Sequence, residues 1–218
     1  MKKERKINAV IFDLGNTLIK TKKKYKLYFN RKYNLNFSGK EYVRIFSDVF
    51  NKKCWKDIEK AFCEFAWRCG KKNNRAFIDD LRKMWNNEHK NNLLFEATKP
   101  VLNQLNKEGY KVALLSNHTQ RCREILDYHG ITPYFHVIGV SAEQNICKPN
   151  VRFFRYVLKH LKVRPEEALM VGDNYKKDYL PAKKLGMHAL LVERGKKRYR
   201  HSIRNLKQVK TYLKRHKH

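Results

Sequence analysis

The chain has 218 residues, 42% hydrophobic and 12% aromatic, enough to fill a core and to exclude wholesale disorder. Fifty Lys and Arg against twenty Asp and Glu leave a formal charge of +30. That balance either marks a field that attracts nucleic acid, anionic membrane or phosphorylated small molecules, or reflects a chain composed largely of Lys and Asn. No apolar run is long enough to cross a bilayer, and the basic start lacks the apolar stretch of a secretory leader. Five cysteines (Cys54, Cys63, Cys69, Cys122, Cys147) without C-x-x-C spacing argue against structural zinc. They are the pattern of reduced thiols in a cytoplasmic protein.

In chain order, Ile7–Phe12 is a short apolar run that ends in Asp13-Leu14-Gly15-Asn16-Thr17, the mark of a buried strand followed by a turn. From Thr21 to Phe95 there is no proline, and apolar residues recur at helical spacing, as in Val43-Phe46-Val49-Phe50 and Ile58-Phe62-Phe65-Ala66. This stretch holds fifteen of the twenty-seven aromatics and predicts three or four amphipathic helices around a small core of their own. From Thr98 onward helix and strand alternate. Helices are predicted over Pro100–Lys107, Gln120–Tyr128, Val151–Leu161, Lys176–Leu185 and Leu206–Leu213. Strands are predicted over Lys111–Leu115, Val137–Val140, Ala168–Val171 and Ala189–Val192. Gly109, Gly130 and Gly186 close three of the helices, and Pro181 either kinks the fourth or marks a tight first turn. Such alternation implies a parallel sheet with helices on its faces, so residues 21–95 are an insertion after the first strand.

Ligands of open parallel sheets bind beyond the carboxyl ends of the strands. Asp13 with Asn16 and Thr17 follows the first strand, and Ser116, Asn117 and His118 follow the second. Lys148-Pro149 precedes the helix at Val151; Gly172 and Asp173, then Asp178, follow the strand at Ala168. Each alone reads as a turn, a cap or a solvated charge. Together they place three carboxylates, a lysine and small polar donors at one sheet edge. A hard divalent cation such as Mg²⁺ takes carboxylates and phosphate oxygens, and a carboxylate is also a nucleophile toward phosphorus. A lysine offsets the gathered charge and a hydroxyl holds a phosphate oxygen. The set fits metal-assisted phosphoryl transfer.

The motifs resemble those of the haloacid dehalogenase-like hydrolase superfamily. Ala9–Leu18 looks like its first motif, Leu114–Asn117 its second, Cys147–Asn150 its lysine motif and Val171–Asp178 its fourth. The resemblance implies an α/β fold: a Rossmann-like parallel sheet flanked by helices, formed by residues 1–20 and 96–218, with an all-helical C1-type cap domain inserted at 21–95. It further implies a Mg²⁺-dependent phosphatase of a small phosphorylated substrate. Asp13 would be nucleophile and metal ligand, with Asp173, Asp178 and the Gly15 carbonyl completing the metal site. Ser116 and Asn117 would hold phosphate oxygens, Lys148 would bridge Asp13 and phosphate, and Thr17 would support the loop. One residue departs from the pattern: the family's second Asp, two positions after the nucleophile, is Gly15 here. The general acid is therefore missing, a group typically worth about 10²–10⁴-fold. A slower or more selective phosphatase, chemistry on another bond, and vestigial catalysis all follow as readings.

Other candidates carry less. His118 is either a substitute acid or a capping histidine, Cys147 is a packed neighbour of Lys148, and Trp55, Trp67 and Trp85 belong to the core of the helical insertion or to its substrate face. From Arg194 to His218 eleven Lys and Arg face no acid. That segment is expected to be a nucleic-acid footprint or a solvated helix. On the first reading, a weakly active or non-catalytic protein binds nucleic acid, and deleting 204–218 is expected to spare hydrolysis because every motif lies upstream.

Overall fold

The computed structural model describes residues 6–22, 25–35, 37–195, 199 and 201–216. In chain order they form β1 (Ala9–Phe12), β2 (Ile19–Thr21), α1 (Tyr25–Tyr33), α2 (Gly39–Phe46), α3 (Ile58–Arg68), α4 (Arg75–Asn86) and β3 (Asn92–Leu94). Then come α5 (Thr98–Lys107), β4 (Lys111–Ser116), α6 (Cys122–Tyr128), β5 (Val137–Val140), α7 (Ser141–Gln144) and α8 (Val151–Leu161). The chain ends with β6 (Ala168–Gly172), α9 (Leu180–Lys184), β7 (His188–Val192), β8 (Ser202–Ile203) and α10 (Lys207–Arg215).

Six strands form one sheet in the order β5-β4-β1-β6-β7-β8, every neighbouring pair parallel. β1 is central, with Phe12 opposite Leu114 on one side and Val171 on the other. Successive side chains of a strand point to opposite faces, and the two cores follow that alternation. Val10, Phe12, Val112, Leu114, Leu169 and Val171 face a core closed by α5, α6 and α10. Ala9, Ile11, Ala113, Leu115, Ala168 and Met170 face a second core closed by α8 and α9. Both faces are covered, which is why these strands read as continuous apolar runs rather than alternating ones. No helix of the described residues is long and apolar enough to cross a membrane.

Between β2 and β3 the four helices α1–α4 pack around their own cluster, which includes Phe29, Tyr42, Phe50, Phe62, Phe65, Phe77 and Trp85. Trp85 is buried there, Trp55 is part-buried with its indole N–H on the Val49 carbonyl, and Trp67 is 56% exposed. The helical period accounts for the helices but not for the ends of the segment. Ile19–Thr21 and Asn92–Leu94 pair as an antiparallel ribbon, with Thr21 opposite Asn92, so the insertion rises from a β stem and is not wholly helical. Three-residue strands carry too little periodicity to be seen in sequence. The helices meet the sheet domain through polar contacts. The Trp55 N–H donates to Gln120 Oε1 at 2.7 Å, Thr119 Oγ1 donates to Glu88 Oε2 at 3.2 Å, and Ser141 Oγ donates to the Asn51 carbonyl.

Pro181 divides the helix expected over Lys176–Leu185. Tyr175–Tyr179 winds as a π-helical turn, with the Leu180 N–H on the Tyr175 carbonyl, and a regular helix resumes only at Leu180. A proline has no N–H for the carbonyl four residues back, so the ladder is already broken at this point.

The basic C-terminal segment is not a detachable appendage. Ile203 extends the sheet in β8, and Leu206, Val209 and Leu213 are buried in the main core, while Lys207, Lys214 and Arg215 face solvent. The expectation that residues 204–218 could be deleted without cost to hydrolysis is therefore corrected: the deletion would strip one wall from the sheet. Leu206 is fully buried. Leu206→Ala is expected to lower unfolding free energy by about 2–5 kcal/mol, the usual cost of such a cavity. Urea unfolding measures it, and a change under 1 kcal/mol would return the segment to the surface.

Candidate active site

β1, β4 and β6 end side by side, and the loops that leave them converge. Asp13 is the first residue beyond β1; its N–H still bonds the Val171 carbonyl at 2.9 Å, which fixes its backbone to the sheet. Ser116 is the last residue of β4 and Asp173 the first beyond β6. Asp178 returns to the same place one turn later, on the π-helical segment. The carboxylates of Asp13, Asp173 and Asp178 each offer an oxygen within 4.8 Å of the others. Gly172 allows this approach. A methyl group on it would sit 2.4 Å from the Asp178 carboxyl, closer than any real contact, so a side chain there would displace Asp178.

Lys148 enters from the loop before α8 and is 3% exposed. Its Nζ lies 2.6 Å from Asp13 Oδ1 and 2.6 Å from Asp178 Oδ1. Asn117 anchors the backbone beneath it. Its Nδ2 donates to the Lys148 carbonyl at 2.8 Å, and its Oδ1 accepts the Lys148 N–H at 2.7 Å. The side-chain amide of Asn117, a residue expected at the phosphate from the resemblance, thus positions Lys148. Ser116 is buried at the strand end. Thr17 Oγ1 donates to Asp13 Oδ2 at 3.4 Å, the Asn174 N–H donates to Asp178 Oδ2 at 3.0 Å, and Asn16 Nδ2 donates to Asp173 Oδ2 at 3.2 Å. Asn16 has φ +54°, a left-handed geometry that asparagine tolerates.

Burial dominates the electrostatics. It pushes the Asp13 carboxyl up to about 7, with Asp178 and Asp173 adding to the rise and Lys148 opposing it. Burial also raises Asp173, against the hydrogen bond from Asn16. For Lys148, burial pulls the ammonium down, but the charges of Asp13 and Asp178 outweigh it and hold the pKa above the ordinary lysine value. Three carboxylates against one ammonium leave an excess of negative charge in a place where Asp13 and Asp178 are buried and Asp173 part-exposed, a donor set of hard oxygens suited to a divalent cation such as Mg²⁺.

Gly15 is exposed, and a Cβ built on it meets nothing within 4 Å. The position two after Asp13 thus has room for a side chain and lacks one. His118 follows Asn117 but turns toward the helical insertion: its Nε2 is 3.9 Å from Glu88 Oε1, and its Nδ1 is 3.4 Å from Thr119 Oγ1. Cys147 is part-buried beside Lys148. Sequence reasoning passed over Arg194. Two residues beyond β7, its guanidinium donates to the carbonyls of Asn16 and Thr17 (3.1 Å to the latter) and its carbon lies 3.6 Å from the centre of the Phe95 ring. It ties the loop after Asp13 to the far side of the sheet. In sequence it was one of many arginines in a basic tail.

The family model described as haloacid dehalogenase-like hydrolase matches residues 10–192. Among curated proteins, the phosphoserine phosphatase of Thermus thermophilus is 34% identical over 138 residues, 63% of this chain and 55% of that protein. The glyceraldehyde 3-phosphate phosphatase of Methanocaldococcus jannaschii is 35% identical over 103 residues, 47% of this chain and 45% of that protein. The chain spans about half the length of the curated relatives it matches. Among solved structures, a HAD phosphatase from Thermococcus onnurineus superposes with a TM-score of 0.68 at 25% identity, over 97% of this chain and 100% of that one. A HAD hydrolase from Bacillus subtilis, bound to magnesium, superposes at 0.67 with 16% identity, over 96% of this chain and 100% of that one.

The Gly172 contact yields a check on the geometry. Gly172→Ala is expected to keep the sheet but displace Asp178 from Lys148 and weaken Mn²⁺ binding at least tenfold, read by electron paramagnetic resonance; Gly15→Ala, with open space around it, is expected to leave binding unchanged. Equal Mn²⁺ affinity in all three proteins would remove Asp178 from the cation site.

Proposed function

The chain belongs to the haloacid dehalogenase-like hydrolase family, and from that premise we propose that it is a Mg²⁺-dependent phosphatase of a small phosphomonoester, acting through an aspartyl-phosphate. The observation that carries the reading is the gathering of the Asp13, Asp173 and Asp178 carboxylates at the strand ends, with the buried Lys148 ammonium on Asp13 and Asp178. Asp13, Asp173, Asp178 and the Gly15 carbonyl would hold the ion. When bound, it would offset the carboxylate charge and supply Lewis-acid stabilisation to a phosphate oxygen. On the same proposal residues 21–95 are a cap over a core built from 1–20 and 96–218.

Each remaining role falls to a residue of the chain. An Asp13 oxygen forms a bond to phosphorus as the ester P–O bond breaks, and the departing alcohol oxygen takes up a proton. Water then attacks phosphorus, the bond from Asp13 breaks, and inorganic phosphate leaves with the carboxylate restored. Lys148 keeps Asp13 aligned and counters charge that gathers on the phosphoryl oxygens. Ser116 Oγ holds one of those oxygens, and Asn117 fixes the Lys148 backbone. Gly15 offers no proton, so the leaving group must take its own from solvent or from a group elsewhere.

Asp13→Asn is expected to abolish hydrolysis with the fold intact, because an amide oxygen does not attack phosphorus, and EDTA is expected to abolish it in the parent. Turnover of 4-nitrophenyl phosphate by the purified variant at the parent rate would end the assignment. The gap at Gly15 gives a second expectation. Activated aryl esters should be cleaved far faster than alkyl phosphates, and Gly15→Asp should narrow the ratio by about 10²-fold or more. A parent enzyme that cleaves good and poor leaving groups alike would show that another acid is in place.

One surface favours a second reading, a weakly active or non-catalytic protein that binds nucleic acid. A groove of about 1240 Å³ between α1 and α4 is lined by Lys22, Arg31, Lys32, Lys83 and Lys90. The one carboxylate lining it among the described residues, Asp80, is taken up by Lys32 at 2.6 Å and by the hydroxyls of Tyr28 and Tyr33. Single-stranded RNA would release counterions there. Replacing Arg31 and Lys83 together by Gln should flatten the plot of log affinity against log salt by about 1.4, at roughly 0.7 per contact. Asp13→Asn should leave it alone. An unchanged slope would leave the basicity of this face as composition.

A further inference from the structure

We infer that the alcohol half of the phosphomonoester is a flat aromatic or heteroaromatic alcohol carrying a hydrogen-bond donor, bound in the cavity between the helical insertion and the end of β4. The identification of the ligand as that alcohol rests on the phosphatase reading. The cavity itself, about 520 Å³, is of the size that encloses a drug-sized molecule. His118, one residue beyond Asn117, lines it on the sheet side, and Thr21 and Asn92 of the stem line its floor. The helices supply the rest: Tyr25 and Leu27 from α1, Tyr42 and Phe46 from α2, Met84 and Trp85 from α4.

The walls select by chemistry. Four of those six side chains are aromatic, and ring faces hold a flat π-system better than they hold a polyol. A glycerol or triose unit would leave most of the volume unfilled and most of its hydroxyls against carbon. Polar groups are few. Among the described residues Glu88 is the one carboxylate lining the cavity, with Oε2 receiving Thr119 and Oε1 3.9 Å from His118. Glu88 also raises the Tyr25 phenol after burial has done so, which puts its charge beside the aromatic wall. Lys26 lines the cavity as well, but its ammonium packs against Gly39 at the start of α2. A carboxylate at the wall calls for a donor on the ligand and disfavours a ligand carboxylate.

Calorimetric titration of the whole protein with dephosphorylated probes tests this without metal or phosphate, so the outcome is independent of hydrolysis by Asp13. The probes are tyramine, 4-ethylphenol and ribose: an aryl alcohol with an ammonium donor, nearly the same body without it, and a sugar. Both aryl alcohols are expected to bind, tyramine about tenfold more tightly, as a charge-assisted contact allows. Ribose is expected to give no heat at millimolar concentration. Glu88→Gln keeps an acceptor for Thr119 and should erase the preference for tyramine. Ribose binding as well as the phenols, no binding of either phenol, or a tyramine preference that survives Glu88→Gln in folded protein overturns the inference.

Discussion

A single ammonium group, that of Lys148, holds the candidate site together. It lies 2.6 Å from one oxygen of Asp13 and 2.6 Å from one of Asp178, with almost no exposure to solvent. Taking such charges out of water costs several kcal/mol per ion, and only close pairing offsets it. The three groups come from parts of the chain 135 and 30 residues apart. Removing the lysine would leave two buried carboxylates facing each other and Asp173. The arrangement therefore demands that the Lys148 backbone be placed before its side chain can act, and the two hydrogen bonds from Asn117 do this.

The parallel sheet makes that meeting possible. Strands that run the same way put all their carboxyl ends on one edge, and β1 sits between β4 and β6. Residues that follow these three strands are neighbours by construction, however far apart they lie in sequence. Apolar side chains alternate between the two cores up to the last turn of each strand, then polar residues begin. The Gly172–Asp178 contact adds a finer constraint. The π-helical turn returns the Asp178 carboxyl toward the strand end, and the missing side chain at 172 lets it come in.

Much of this was legible because the strand ends carry their chemistry in short, local strings. Ile-Phe-Asp, Leu-Ser-Asn, Lys-Pro-Asn and Gly-Asp each join a run whose period announces a strand or helix to a residue that does not belong in a core. Val137–Val140 and Val151–Leu161 fall where the pattern placed them. What escaped has no local signal. The ribbon of β2 and β3 and the strand β8 are two or three residues long and exist through pairing with distant partners. The service of Asn117 to Lys148 depends on a loop 31 residues away. Arg194 gave no sign of its grip on Asn16 and Thr17, because one arginine in a basic stretch looks like the next. The tail misled for a related reason. Its charges dominate the composition, while the three apolar residues that dock it are spaced on one helical face and are few.

The overall charge and the local charge have opposite signs, and their opposition bears on how the site could work. The formal charge of the chain is +30, and among the described residues Lys207, Lys214 and Arg215 are exposed on a helix whose other face is core. A phosphomonoester is drawn toward such a surface from a distance within about a Debye length, 8–10 Å at ordinary salt. At the strand ends it meets three carboxylates and one ammonium, a place that repels it. Burial has already pushed Asp13 up to about 7, the sign of a charge with too little compensation. On the proposed function Asp13, Asp173 and Asp178 would hold a divalent cation whose charge would offset the excess of −2 and favour the ionised form of Asp13. The part-buried, over-acidic cluster is thus intelligible as half of a site. The same reasoning separates affinity from chemistry: the basic surface raises the local concentration of any anion, whereas on the proposed function discrimination among phosphate esters falls to the strand-end cluster and the cavity lined by His118.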